Sequence, residues 1–220
     1  MHNCAIIVAA GKGSRFEGVK QFQLLRGIPI LVYSILSFQK NKRINSIILA
    51  VPKNKIDFVK QLIKKFKLEK VKKVVTGGKR RQDSVLNGLA QVKTQQGIVL
   101  IHDGVRPLIT QSLINKGIKL CKKYKAVIFG IPVGDTVKES RDHRVLRTVP
   151  RKNLFLIQTP QFYDVQLLKK TIKTALMSRE YTDESAILEA QGIQVHLFQG
   201  QLNNIKITRK EDLRLIEKLL

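Results

Sequence analysis

Ala5-Ile6-Ile7-Val8-Ala9-Ala10-Gly11-Lys12-Gly13-Ser14-Arg15-Phe16, with Lys20-Gln21 just beyond it, is the stretch that decides the fold. A short apolar, β-branched run leads at once into two glycines and then into positive charge. Such a run suits a parallel strand buried on both faces, and the glycines suit a loop whose backbone comes close to a ligand. Backbone N–H groups flanked by cations receive phosphates. The expected element is a strand feeding a phosphate-binding loop.

Two commoner glycine loops fail on spacing. Gly11 and Gly13 begin a dinucleotide fingerprint, but Arg15 and Phe16 fill the neighbourhood of its third glycine. Gly13 to Gly18 has P-loop spacing, yet Val19 stands where the P-loop lysine belongs and no Ser or Thr follows Lys20. What is left is Ala-Ala-Gly-x-Gly-x-Arg with Lys20 five residues on, which resembles the loop that holds a nucleoside triphosphate in nucleotidyltransferases.

Outward from the loop, apolar spacing predicts a helix over 29–38, a strand over 46–52, a helix over 56–66 and a strand over 71–75. Gly77-Gly78 interrupts the chain before a helix beginning near Gln82. A strand over 97–104, a helix over 111–124 and a strand over 126–132 follow. This alternation predicts an α/β fold: a Rossmann-like, mostly parallel twisted sheet with helices on both faces. The rhythm breaks at Val133. From 133 to 156 the sequence is polar and basic with patches of alternation, which reads as a β-hairpin arm inserted in a single domain over 1–220. Such an arm holds too little apolar surface to stand alone, so it is expected to pack on a second copy of the chain. Helices over 164–177 and from about 182, short strands over 195–198 and 204–207, and a helix over 209–219 complete the reading.

The chain has 220 residues with 43% hydrophobic and 26% charged content, enough for a substantial core. It lacks both an export-type leader and an apolar stretch near the roughly 20 residues of a membrane span, so a cytoplasmic protein without a membrane partner is expected. Nor is a fused second catalytic domain expected. Cys4 and Cys121 show no paired spacing and read as free thiols. The charge stands out: 41 Lys+Arg against 16 Asp+Glu give +25. That balance raises a non-catalytic, nucleic-acid-binding reading. Aromatic content of 6% and the absence of zinc-ligand or RNP-type spacing count against it, so the lysine-rich run from Lys60 to Arg81 reads as a solvated face and nucleic acid is not an expected partner.

Ligands in open α/β sheets bind at strand carboxyl ends. Gly11 to Arg15, Gly77-Gly78, His102-Asp103-Gly104 and the start of the arm are therefore expected to line one cleft, with Lys206 within reach from a late strand. Asp103 faces this cleft on that reading. His102 reads as a structural histidine, Asp83 as a first-turn residue favoured by the helix dipole, and Thr182 also suits an N-cap.

Together with the loop, Gly77-Gly78 and Gln82-Asp83-Ser84-Val85, His102-Asp103-Gly104-Val105-Arg106-Pro107, Pro132 with Asp135-Thr136-Val137-Lys138, Thr159-Pro160-Gln161-Phe162, Thr182-Asp183-Glu184 and Asn204-Ile205-Lys206-Ile207-Thr208 make the chain resemble the 2-C-methyl-D-erythritol 4-phosphate cytidylyltransferase family. The resemblance runs from Ala5 to about Leu215. It implies transfer of CMP from CTP to a polyol phosphate in non-mevalonate isoprenoid synthesis, with Mg²⁺ as the divalent cation. The related ribitol-5-phosphate cytidylyltransferases share the loop and arm and are the nearest alternative. The resemblance further implies that Arg15, Lys20, Arg151 and Lys206 act in catalysis. Ala9, Ala10, Gly11, Gly13, Gly78, Ser84 and Asp103 join Arg15 and Lys20 at the nucleotide. Asp103, Arg106, Thr136, Arg151, Thr182 and Lys206 would hold the polyol phosphate, Thr136 and Arg151 reaching into a neighbouring subunit of a homodimer. Asp103, with the CTP phosphates, would meet the metal. Lys79 departs from the family pattern, because many relatives carry an acid there.

Overall fold

Along the first strand the side chains alternate between two cores, as the pleat of a strand requires. The computed structural model describes residues 2–11, 19–175 and 179–220. Within them β1 (Cys4–Val8) turns Ala5 and Ile7 to one side of the sheet and Cys4 and Ile6 to the other. Both sides are dry, which is why the strand reads as a continuous apolar run.

Short pairings at β2 (Leu24–Leu25) and β3 (Ile28–Pro29) precede α1 (Ile30–Gln39). Then come β4 (Ser46–Val51), α2 (Ile56–Lys65), β5 (Val71–Thr76), α3 (Arg81–Leu89), β6 (Ile98–Asp103), α4 (Gln111–Tyr124) and β7 (Ala126–Pro132). A hairpin of β8 (Val137–Arg141) and β9 (Arg144–Val149) leads to β10 (Phe155–Asp164), α5 (Val165–Thr174), α6 (Glu184–Glu189), β11 (His196–Gln199) and α7 (Lys210–Leu219). The seven-stranded sheet has the order β11-β7-β10-β6-β1-β4-β5. Its pairs are parallel except those of β10, which runs antiparallel between β6 and β7. One face is covered by α1, α2 and α4 through Leu31, Phe38, Val59 and Ile118. The other is covered by α3, α5 and α6 through Val85, Leu89, Leu168 and Leu188.

Some expectations are corrected. The sequence reading assigns no element to Thr159-Pro160-Gln161, but these residues lie in β10, a central strand whose pairing with β7 breaks register between Gln158 and Phe162. The last two residues of the expected arm, Phe155 and Leu156, already belong to this strand, and the hairpin proper spans Val137 to Val149. Residues 204–207 form no strand. Ile207 N–H donates to Val105 O at 2.9 Å, past the end of β6, and no ladder continues from that bond. The helix expected over 164–177 is described from Val165 to Thr174, capped by Asp164, whose carboxylate accepts from the N–H groups of Gln166 and Leu167 at 3.1 Å; Met177 lies outside the described residues.

Cys4 and Cys121 are free and buried, and burial pushes their thiols up to about 11 and about 12. The thiolate is the reactive form. Neither is expected to be alkylated by iodoacetamide at pH 8 in the native chain, whereas both should be after denaturation. Mass spectrometry counts the adducts, and rapid native labelling of either cysteine would contradict this burial.

Candidate active site

Three strand ends supply the site, each because the chain must leave the sheet there. Beyond β1, Ala9 N–H still donates to Ala50 O at 2.8 Å before the backbone turns away at Ala10 and Gly11. Gln21, buried in a 3₁₀ turn over Lys20–Phe22, donates from Nε2 to Ala9 O at 2.6 Å and to Gly11 O at 3.2 Å. It pins the start of the loop against the turn that carries Lys20. Gly13 and Arg15 lie outside the described residues.

Beyond β5, Gly77 passes so close to this loop that an added Cβ would stand 2.1 Å from Ala10 Cβ and 3.0 Å from Ser84 Oγ. Any side chain there would push apart the two walls it joins. Ser84 Oγ accepts from Gly78 N–H at 3.0 Å and donates to the carbonyl of Arg80 at 3.3 Å, which shapes the turn into α3. Asp83 serves the same turn, accepting from Arg80 N–H at 3.0 Å, so its structural reading stands.

Beyond β6, Asp103 is held by its backbone and by its carboxylate. Its N–H donates to Thr159 Oγ1 at 3.0 Å, a bond made possible by β10 lying alongside. Oδ1 lies 3.2 Å from Arg81 Nε, and Oδ2 lies 2.8 Å from Lys206 Nζ and 3.8 Å from Arg106 Nε. Burial alone would raise this carboxyl, but Arg81, Lys206 and Arg106 outweigh it and hold Asp103 well below the usual carboxylate range. Asp103 is an anion at any working pH. His102 is fully buried, and burial lowers it to about 4, so its ring is neutral. Its Nε2 donates to Arg106 O at 3.1 Å, which leaves Nδ1 to accept from Thr159 Oγ1 at 3.2 Å. Both nitrogens are used in structure, as the sequence reading expects.

The three ends enclose a cavity of about 290 Å³. Ala9, Ala10, Gly11 and Lys20 line it from the β1 side, Gly78 and Ser84 from the β5 side, and Asp103 and Lys206 close it. Eight of the expected site residues thus meet at one place. Others do not line it. Arg106 is walled in, donating from Nη1 to Asn204 O at 2.7 Å and from Nη2 to Ile157 O at 3.4 Å. Thr182 is exposed, and the N-cap of α6 is Asp183 instead, whose Oδ1 accepts from Ala186 N–H at 3.0 Å. Thr136 and Arg151 sit exposed at the base of the hairpin, where Arg151 donates to Gly134 O.

Sequence reasoning missed Arg81. It lines the cavity beside Lys79 and Arg80, and its Nη1 grips the buried carboxylate of Glu184 at 2.9 and 2.8 Å. Only the Thr182-Asp183-Glu184 motif hinted at this, and a motif does not reveal its partner. For a metal, the described residues contain no cluster of three His, Cys, Asp or Glu. Asp103 is the one carboxylate among the described lining residues. An ionised oxygen donor of this kind fits a divalent ion that takes most of its ligands from phosphate and water.

The family model described as 2-C-methyl-D-erythritol 4-phosphate cytidylyltransferase matches residues 3–220. The chain belongs to this family. It is 45% identical to the 2-C-methyl-D-erythritol 4-phosphate cytidylyltransferase of Clostridium novyi (strain NT), over 99% of this chain and 96% of that one. The fold matches the crystal structure of 4-diphosphocytidyl-2C-methyl-D-erythritol synthase from Anaerococcus prevotii with TM-score 0.84 at 32% identity, covering 99% of this chain and 95% of that one. It also matches the Francisella tularensis 2-C-methyl-D-erythritol 4-phosphate cytidylyltransferase with TM-score 0.85 at 28% identity, covering 100% of both chains. The members of this 2-C-methyl-D-erythritol 4-phosphate cytidylyltransferase family are nucleotidyltransferases, and the glycine-rich cleft at the strand ends has the form such chemistry needs.

Proposed function

We propose that the chain transfers CMP from CTP to 2-C-methyl-D-erythritol 4-phosphate, releasing pyrophosphate and supplying the non-mevalonate route to isoprenoids. The observation that carries this reading is a family match over 3–220, supported by one cavity with Lys20, Asp103 and Lys206 in its wall.

The substrate's phosphate oxygen attacks the α-phosphorus of CTP, and the bond from that phosphorus to the bridging oxygen breaks. The nucleophile is already an anion, so no general base is needed, in keeping with the buried, neutral His102. Catalysis rests on positioning and on cations aimed at the charge that builds on the α-phosphate oxygens. Arg15 and Lys20 take the triphosphate in this scheme. Backbone contacts at Ala9, Ala10, Gly11 and Gly78, with Ser84, shape a pyrimidine-sized slot for the cytosine and ribose, and Gly13 joins them in binding the nucleotide. Asp103, with Arg106 beside it, meets the hydroxyls of the polyol phosphate, and Thr182 and Lys206 contact that substrate. Asp103 would hold Mg²⁺ together with the triphosphate, and the ion would lower the repulsion between the two polyanions. The chain acts in the cytoplasm as one nucleotidyltransferase domain that carries the hairpin Val137–Val149 as its arm.

The test is pyrophosphate release from CTP and Mg²⁺ with methylerythritol 4-phosphate, and separately with ribitol 5-phosphate. Turnover with the first is expected, and Arg15→Ala should lower it by about 10²–10³-fold. Turnover with ribitol phosphate alone would move the chain to another pathway. Silence with both would end the enzyme reading.

The same reading makes the hairpin a dimer contact that brings Thr136 and Arg151 to the second subunit's site. Val145 and Leu146 are 62% and 55% exposed on β9, one on each face of the hairpin. Changing both to Asp is expected to give a folded monomer by light scattering, with activity lost. A fully active monomer would rule out the shared site.

A further inference from the structure

From the cavity wall inward, charges run in a line from Lys206 through Asp103 and Arg81 to the buried start of α6. The Glu184 side chain is 1% exposed and accepts from Arg81 Nη1 with both oxygens. The other arm of Arg81 reaches Asp103, its Nε 3.2 Å from Oδ1. A second link ties the same two segments, because Tyr181 N–H donates to Gln82 Oε1 at 2.8 Å and Gln82 Nε2 donates to Arg179 O at 3.1 Å. Arg81 is therefore clamped from one side while it holds one oxygen of Asp103 from the other.

The second oxygen is placed differently. Lys206 Nζ sits 2.8 Å from Oδ2, on a side chain that is 38% exposed. Arg106 Nε faces the same Oδ2 at 3.8 Å, too far for a hydrogen bond. That Nε is buried and has no hydrogen-bond partner among the described residues, although the rest of the guanidinium is bonded to carbonyls. A fixed donor left unused beside an acceptor already engaged by a partly exposed cation allows two alternative pairings of one oxygen.

We propose that Asp103 exchanges Lys206 for Arg106, and that Arg81, clamped by Glu184, is the positioning residue that permits it. The proposal rests on the reading above that Lys206 serves the substrate's phosphate. Lys206 swings its ammonium from Oδ2 to that phosphate. Oδ2 then turns to Arg106 Nε, while Arg81 keeps Oδ1 in place. Without Lys206 the remaining cluster of Arg81, Arg106, Asp103 and Glu184 is neutral. Without Arg81, whether or not Glu184 is charged, Oδ1 of Asp103 loses its cationic partner, and a buried carboxylate short of such a partner holds its lysine back. Arg81 thereby sets affinity for the phosphate substrate through its hold on Asp103.

Arg81→Gln alone strands the buried Glu184 carboxylate, so the informative variant is R81Q/E184Q, in which two amides replace the ion pair and the net charge is kept. Its steady-state kinetics with CTP and methylerythritol 4-phosphate are compared with wild type, alongside thermal melting. The expected result is a native-like melt, a rise of about tenfold or more in KM for the polyol phosphate, and less than a twofold change in KM for CTP, one decade corresponding to about 1.4 kcal/mol. R81K/E184Q restores a cation beside Asp103 and should recover at least a third of the lost affinity. A merely structural pair would lower the melting temperature and raise both KM values together, and R81K would not help. Unchanged KM for the polyol phosphate, or a parallel rise in both, overturns the exchange. Wild-type silence with this substrate instead overturns the functional reading, and the exchange with it.

Discussion

Replacing Lys206 by methionine is expected to cut turnover by about 10²–10³-fold, the usual cost of removing one preorganised donor to a developing anion. Methionine keeps the length and the apolar stem of the side chain, so only the ammonium is lost. The backbone around it is anchored independently. Asn204 Nδ2 donates to Thr159 O at 2.8 Å, and Ile207 N–H donates to Val105 O at 2.9 Å. Asp103 keeps Arg81 at 3.2 Å, so its charge remains compensated. A native melting curve with collapsed kcat/KM is therefore the expected outcome. Lys122→Met on α4 is the control: it removes the same charge from an exposed site and should leave turnover within twofold. If both variants lose activity alike, the contribution is diffuse electrostatics and Lys206 has no special place. A fall of less than tenfold for Lys206→Met would remove it from the catalytic set.

Gly117→Val is expected to cause a large loss of stability. Helix α4 crosses β10 so closely at this point that an added Cβ would lie 2.2 to 2.5 Å from three ring atoms of Phe162. That ring has no room to yield. It is fully buried and stands edge-on to Phe129, with centroids 5.7 Å apart. Valine also adds two γ-carbons, and its helix propensity exceeds that of glycine by only a few tenths of a kcal/mol, so the clash dominates. Overpacking of this kind costs about 3 kcal/mol. In a chain of this size that lowers the melting temperature by roughly 6–12 °C. Gly134→Ala, with nothing within 4 Å of an added Cβ, should leave it unchanged. A melt for Gly117→Val within 2 °C of wild type would mean that α4 can move off β10.

Much of this molecule follows from local order in the chain. The β-branched run ending at Ala9-Ala10-Gly11, the helical spacing of 111–124 and the turn at Gly77-Gly78 each depend on neighbours within a few residues, and each appears where the sequence puts it. Strand ends then bring Ala9, Gly78 and Asp103 together by topology alone, because parallel strands place their carboxyl ends on one edge of the sheet.

What escaped the sequence depends on residues far apart in the chain. Pro160 argues against a central strand, since proline cannot donate to a ladder, yet β10 accommodates it where its register with β7 breaks. Residues 204–207 alternate like a strand, but their nearest backbone partner lies past the end of β6 and offers no continuing ladder. Arg81 looked like one cation among many until folding set Glu184 on one side of it and Asp103 on the other. The sequence by itself determined the α/β architecture and the cleft at the strand ends, because periodicity and glycine placement act locally. Only the tertiary structure decided which charges meet inside that cleft, because ion pairs are selected by distance in space and carry no periodicity in sequence.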